Sequence, residues 1–110
     1  MSTENIIPIR PNYYDDGYLR IEYESYFISV NEESIKLSKI EFLVMSRLAQ
    51  LPERVVTYRD LWDHVWGNDD VNVETLKVHV YRLRRIFEPY GIKIETMVSV
   101  GYRLVPFAGN

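Results

Sequence analysis

Cysteine is absent from the 110 residues, which excludes disulfide staples and any thiolate metal site. Histidine is scarce: His64 and His79 are the two present, and their spacing matches no metal-ligand motif, so no metal is expected. No apolar run approaches the ~20 residues that span a bilayer, so no membrane partner is expected. The opening Ser2-Thr3-Glu4-Asn5 is polar and acidic, unlike a secretory leader. Phosphate loops and nucleophile motifs are missing too, so neither catalysis nor a cofactor is expected. The pairs Asp15-Asp16 and Asp69-Asp70 fall in loops and read as solvated turns. Internal repeats and low-complexity stretches are absent. The default expectation is one soluble, cytoplasmic domain, consistent with a reducing compartment, with an ordinary composition of 46% hydrophobic and 26% charged residues.

Positive charge is also in deficit, with 13 Lys and Arg against 16 Asp and Glu. The deficit is local. Residues 1–36 carry a net charge of −4 and residues 37–110 a net of +1, so the acidic first third is unsuited to nucleic acid. Within the remainder, Leu76 to Phe87 holds Lys77, Arg82, Arg84 and Arg85 with no acid among them. At helical spacing Leu76, Val80, Leu83 and Phe87 share one face. Val78, Tyr81, Arg82 and Arg85 lie on the other, with Lys77 and Arg84 at the flanks. One face is built for a core and the other offers cations, an aromatic and a small apolar group. A DNA recognition helix needs that division: cations for phosphates, side chains for base edges, an apolar contact for thymine methyls. A solvated amphipathic helix accounts for the same pattern, so the helix alone does not establish a partner.

The surrounding chain supplies a frame. Pro8 and Pro11 punctuate residues 1–14, which read as a tail or linker, with Ile6, Ile7 and Ile9 able to add a short edge strand. Alternation from Tyr18 to Glu24 predicts a half-buried strand, with Leu19, Ile21 and Tyr23 on one face. Tyr26–Val30 is a second strand, Asn31–Ser34 a turn, and Ile35–Leu37 a third strand, making an antiparallel meander. Ser38 and Glu41 form a capping box for a helix whose stripe is Ile40, Leu43, Val44, Leu48 and Leu51, and which stops before Pro52. Thr57 with Asp60 starts a second helix that carries Leu61, Trp62, Val65 and Trp66 and stops at Gly67. After the loop Asn68-Asp69-Asp70, Asn72 caps a third helix that ends near Glu88-Pro89. Ile94–Val98 and Gly101–Val105 make a hairpin. The fold class is α+β: a winged helix-turn-helix with an N-terminal antiparallel β-meander, three helices and a C-terminal β-hairpin wing, over residues 15–107.

These residues resemble the C-terminal effector domain of OmpR/PhoB-type response regulators. The likeness runs through Leu37-Ser38-Lys39-Ile40-Glu41-Phe42-Leu43, Val55-Val56-Thr57-Tyr58-Arg59-Asp60-Leu61 and Val65-Trp66-Gly67. It continues through Val78-His79-Val80-Tyr81-Arg82-Leu83-Arg84-Arg85 to Thr96 and Gly101-Tyr102-Arg103-Leu104, covering about residues 17–105. Each segment is weak by itself; their order and spacing together are specific. The resemblance implies a transcription factor on double-stranded DNA, with its third helix (about 73–88) in the major groove and its wing (about 94–105) near the minor groove or backbone. The family's base-reading positions fall on Glu74, Thr75, Val78, His79 and Arg82. Phosphate contacts fall on Tyr81, Arg84, Thr96 and Tyr102, and the cations Lys77 and Arg85 join them. The loop from Trp66 through Asn68, Asp69 and Asp70 corresponds to a segment that contacts RNA polymerase in some members. Members bind direct-repeat half-sites as head-to-tail homodimers, downstream of a phosphorylated receiver that this chain is too short to hold.

Three positions depart from the family pattern. Glu74 stands where an arginine is frequent, Tyr81 replaces a frequent base, and Val98, beside Ser99 at the wing tip, takes the place of the wing arginine. Arginine favours narrow minor grooves, so that readout is expected to weaken. The acidic total, Glu74 and Val98 keep a second reading open: a winged-helix protein–protein interaction module with weak or secondary DNA binding.

Overall fold

The computed structural model describes residues 12–106, folded as two antiparallel sheets and three helices. Strands β1 (Tyr13–Asp15), β2 (Leu19–Glu22), β3 (Phe27–Val30) and β4 (Glu33–Ser34) pair in sequence order. Helices α1 (Lys39–Gln50), α2 (Tyr58–Val65) and α3 (Val73–Phe87) follow, with β5 (Val55–Thr57) between the first two. Strands β6 (Lys93–Met97) and β7 (Gly101–Val105) close the domain, and β7 is the central strand of a sheet ordered β5-β7-β6.

The helix starts are written in the side chains. Ser38 and Glu41 form the expected capping box: the Ser38 hydroxyl accepts from the Glu41 N–H and the Glu41 carboxylate accepts from the Ser38 N–H. Thr57 caps α2 through the Asp60 N–H, and Asn72 caps α3 through the Thr75 N–H. The core draws on both sheets and all three helices: Leu19, Ile21 and Val30; Val44, Met45 and Leu48; Leu61; Leu76, Val80, Leu83 and Phe87; Ile92 and Leu104 are all fully buried.

Four expectations need correction. Tyr13 and Tyr14 belong to β1 rather than to a tail; the suggested edge strand around Ile6–Ile9 lies outside the described residues. The fourth strand is Glu33–Ser34, not Ile35–Leu37, because Asn31 and Glu32 both adopt positive φ and close a tighter turn than four residues would. The wing is three-stranded, since Val55-Val56-Thr57 adds an edge strand to the hairpin. The buried stripe of α1 is Phe42, Val44, Met45, Leu48 and Ala49, whereas Ile40, Leu43 and Leu51 are only half-buried. Helix α1 packs against α2, α3 and β7 and is covered over a wider arc than a surface helix.

Candidate nucleic-acid interface

Helix α3 divides as its periodicity requires. Leu76, Val80, Leu83 and Phe87 face the core, while Glu74, Lys77, Val78, Tyr81, Arg82 and Arg85 are exposed. Val78 is 49% exposed and Tyr81 60%, so the outer face offers apolar and aromatic surface beside its charges.

The cations on this face differ in how they are engaged. Lys77 pairs with Glu74 at 3.3 Å, both side chains well exposed, so the acid that departs from the family pattern offsets a neighbouring base. Arg85 lies over the Tyr81 ring at 5.9 Å and donates to its hydroxyl at 3.4 Å. Arg82 makes no ion pair or hydrogen bond among the described residues, although it stands mid-helix on the outward face. Its guanidinium is free to form bidentate contacts.

Arg84 is built into the structure. Its Nε donates to the Ile94 carbonyl at 2.7 Å, its Nη2 donates to the Thr96 hydroxyl at 2.7 Å, and the guanidinium lies 5.7 Å from the centre of the Tyr102 ring. Arg84 and Thr96, both expected at phosphates, are bonded to each other and lock the wing to α3. The guanidinium expected at a phosphate is thus engaged within the protein, by a carbonyl and a hydroxyl. Tyr102, expected at a phosphate, is 2% exposed and meets Tyr58 edge-on at 5.7 Å. Burial pushes the pKa of its hydroxyl upward, which keeps it a donor.

The wing tip is apolar. Met97 pairs with Gly101, leaving Val98, Ser99 and Val100 as the loop, with Ser99 at positive φ and Val98 82% exposed. The Val100 carbonyl accepts from the Tyr58 N–H at 3.1 Å, so the start of α2 holds the tip. Sequence reasoning missed this link and the Arg84 staple. A run of β-branched residues, Val55-Val56-Thr57, was the available signal for β5, the strand that leads into Tyr58.

Between α2 and α3, the Asn68 side-chain oxygen accepts from Trp62 Nε1 at 2.8 Å and from the Asp70 N–H at 2.9 Å. Trp62 and Trp66 stack with centroids 4.1 Å apart. Trp66 is half-exposed, and Asn68, Asp69 and Asp70 are exposed. Thr75 is half-buried at the front of α3. His79 is half-exposed, 6.0 Å from the Trp66 ring, and burial first, then Arg82, hold its pKa below the ordinary histidine value against an opposing pull from Glu41. No group of three or more His, Cys, Asp or Glu that could hold a metal occurs among the described residues, and none of their helices is long and apolar enough to cross a membrane.

A helix with a buried stripe, an outward cationic face and a side-chain bond to a β-wing defines a winged-helix domain of the DNA-binding class. The family described as "Transcriptional regulatory protein, C terminal" matches residues 31–104. The chain belongs to that family and is a DNA-binding effector domain of the OmpR/PhoB response-regulator type. The sensory transduction protein BceR of Halalkalibacterium halodurans is 39% identical over 85 residues, covering 74% of this chain and 37% of that protein. The phosphate regulon transcriptional regulatory protein PhoB of Escherichia coli is 34% identical over 88 residues, covering 77% of this chain and 38% of that protein. The chain therefore spans less than half the length of these relatives. Among solved structures, the response regulator DrrB of Thermotoga maritima matches with a TM-score of 0.69 at 29% identity, over 86% of this chain and 44% of that one. The RstA DNA-binding domain of Klebsiella pneumoniae, solved with the RstA box, has a TM-score of 0.74 over 86% of this chain and 97% of its own. At 21% identity, the RstA likeness speaks for the fold alone.

Proposed function

We propose that this domain reads specific double-stranded DNA to regulate transcription in the cytoplasm, as the output end of a two-component response regulator. Helix α3 enters the major groove with Glu74, Thr75, Val78, His79 and Arg82 toward the bases. Lys77, Tyr81 and Arg85, with the Tyr102 hydroxyl, meet phosphates, and Arg84 with Thr96 fixes the wing that flanks them. The observation that carries this reading is Arg82: an exposed guanidinium with no partner among the described residues, in the middle of a helix whose opposite face is fully buried. Guanine, with its O6 and N7 acceptors, is the base its fork fits best. Val78 beside it suits a thymine methyl. The family likeness supports direct-repeat half-sites occupied by head-to-tail protomers and, as in some members, a contact with RNA polymerase through Trp66, Asn68, Asp69 and Asp70. The half-exposed Trp66 supports that contact. The second reading, a protein–protein interaction module with weak or secondary DNA binding, is not favoured.

Titration of duplex DNA at increasing salt tests the proposal. With Lys77 and Arg85 neutralising about two phosphates per protomer, the slope of log affinity against log salt is expected at roughly −2, from ~−0.9 per phosphate. No binding at low salt, or binding insensitive to salt, contradicts it.

A further inference from the structure

His79 Nδ1 is buried and has no hydrogen-bond partner among the described residues. The ring is half-exposed, which leaves Nε2 for its open edge. Three protonation states are available, and they differ in what is buried. The cation buries charge and an unpaired N–H together, the most costly combination. The neutral form with its proton on Nδ1 buries an unpaired donor, a rarity in folded proteins. The neutral form with its proton on Nε2 buries only an unpaired acceptor lone pair and turns its N–H outward.

The neighbours of the ring agree with a neutral state. Arg82 on α3 is a cation that disfavours a second positive charge, and Trp66 beyond the end of α2 offers an aromatic face without a proton acceptor. Glu41 at the start of α1 pulls the other way, but its carboxylate is already bonded to the Ser38 N–H of the capping box. Burial, the largest influence, lowers the pKa of the ring.

We infer that His79 is held as the neutral Nε2–H tautomer and acts as a donor-only specificity determinant, pointing one N–H at an acceptor on the DNA. This rests on the DNA-binding reading above and deepens it. A donor-only group donates to guanine O6 or N7, adenine N7, thymine O4 or a phosphate oxygen, and offers nothing to the amino groups of cytosine and adenine.

Imidazole ¹⁵N–¹H correlation spectra of the free 110-residue chain at pH 7 read the tautomer directly, without DNA. The expected pattern is a protonated Nε2 and an unprotonated Nδ1; a protonated Nδ1, alone or with Nε2, overturns the inference. Affinity is then measured on a duplex selected by the protein from a random library. His79→Ala is expected to weaken binding about 5-fold, the worth of one hydrogen bond. Gln places an amide N–H near the position of Nε2 and Asn near that of Nδ1. His79→Gln should therefore retain affinity within about 2-fold, while His79→Asn behaves like His79→Ala. Equal affinities for wild type and His79→Ala, or rescue by Asn instead of Gln, overturn the inference. Two sets of altered duplexes separate the acceptors: 7-deazapurine, 6-thioguanine and 4-thiothymine for base edges, methylphosphonates for the backbone. One such change should cost wild type about 5-fold and His79→Ala nothing; no such change in either set overturns the inference. Failure of every duplex to bind removes the DNA reading itself. Tight binding with the wrong tautomer removes this inference alone.

Discussion

Gly101 has no room for a side chain. A Cβ there would stand 1.9 Å from the Val56 carbonyl oxygen, a backbone atom that cannot swing away. Gly101→Ala is therefore expected to destabilise the domain by about 3 kcal/mol, at the upper end of overpacking costs, measured by urea unfolding. The sequence marked Gly101 as a strand start but not the reason for glycine, because the obstructing atom belongs to a strand 45 positions earlier. Val98 poses the opposite case: it is 82% exposed and no contact constrains it. Val98→Arg should leave stability unchanged and tighten binding to sites with an A·T-rich flank, read by equilibrium titration. Unchanged affinity on such sites would mean that the wing tip stays clear of the groove. The outward position of Arg82 was legible from spacing, while the proposed place of Arg82 and His79 at the bases came from the family likeness. Their engagement was not legible, since a free guanidinium and an unpartnered Nδ1 depend on what three helices bring near them.

Among the elements, the helices were the most legible. Their caps at Ser38, Thr57 and Asn72 are local chemistry, each side chain bonded three residues onward. The strands were less so. β5 has three residues, too few for a period-two pattern, and β4 begins after a turn in which Glu32 adopts a positive φ that glutamate rarely takes. The wing and α3 form one unit through Arg84. Arg84→Met keeps much of the side-chain bulk but removes the bonds to Ile94 and Thr96. It is expected to cost about 1–2 kcal/mol in urea unfolding and to speed amide exchange in β6 and β7. Unaltered exchange would show that the wing is held by the strand pairing alone. Helices α1 and α2 have an equivalent tie, in which Arg47 donates to Asp60 at 2.6 and 3.0 Å and holds the Asp60 carboxyl below the usual carboxylate range. The depressed pKa means that this stability is present above the unfolded value near ~3.9 and is lost as pH falls through the folded one.

At the scale of the whole molecule, charge and protonation set the working range. His64 and His79 are both held below the ordinary histidine value, chiefly by burial. As pH falls below about 6.5, the unfolded chain takes up these protons before the folded one does, so stability drops through that window. The Asp60 contribution follows near pH 4 and below. Thermal unfolding between pH 7 and 5 should show a falling midpoint, with a shallower fall in His79→Gln; a midpoint that rises on acidification contradicts both assignments. The net charge is −3, with a net of −4 in residues 1–36, so the proposed attraction for DNA rests on the cations of the α3 face. On the proposed reading, this face recognises sequence through Arg82. The most direct measurement compares wild type and Arg82→Ala on a duplex selected from a random library and on a scrambled duplex at one salt concentration. Arg82→Ala should cost about 1–3 kcal/mol on the selected duplex and much less on the scrambled one, collapsing the preference between them. An equal loss on both duplexes, or none on either, would contradict the assignment of Arg82 as the reader.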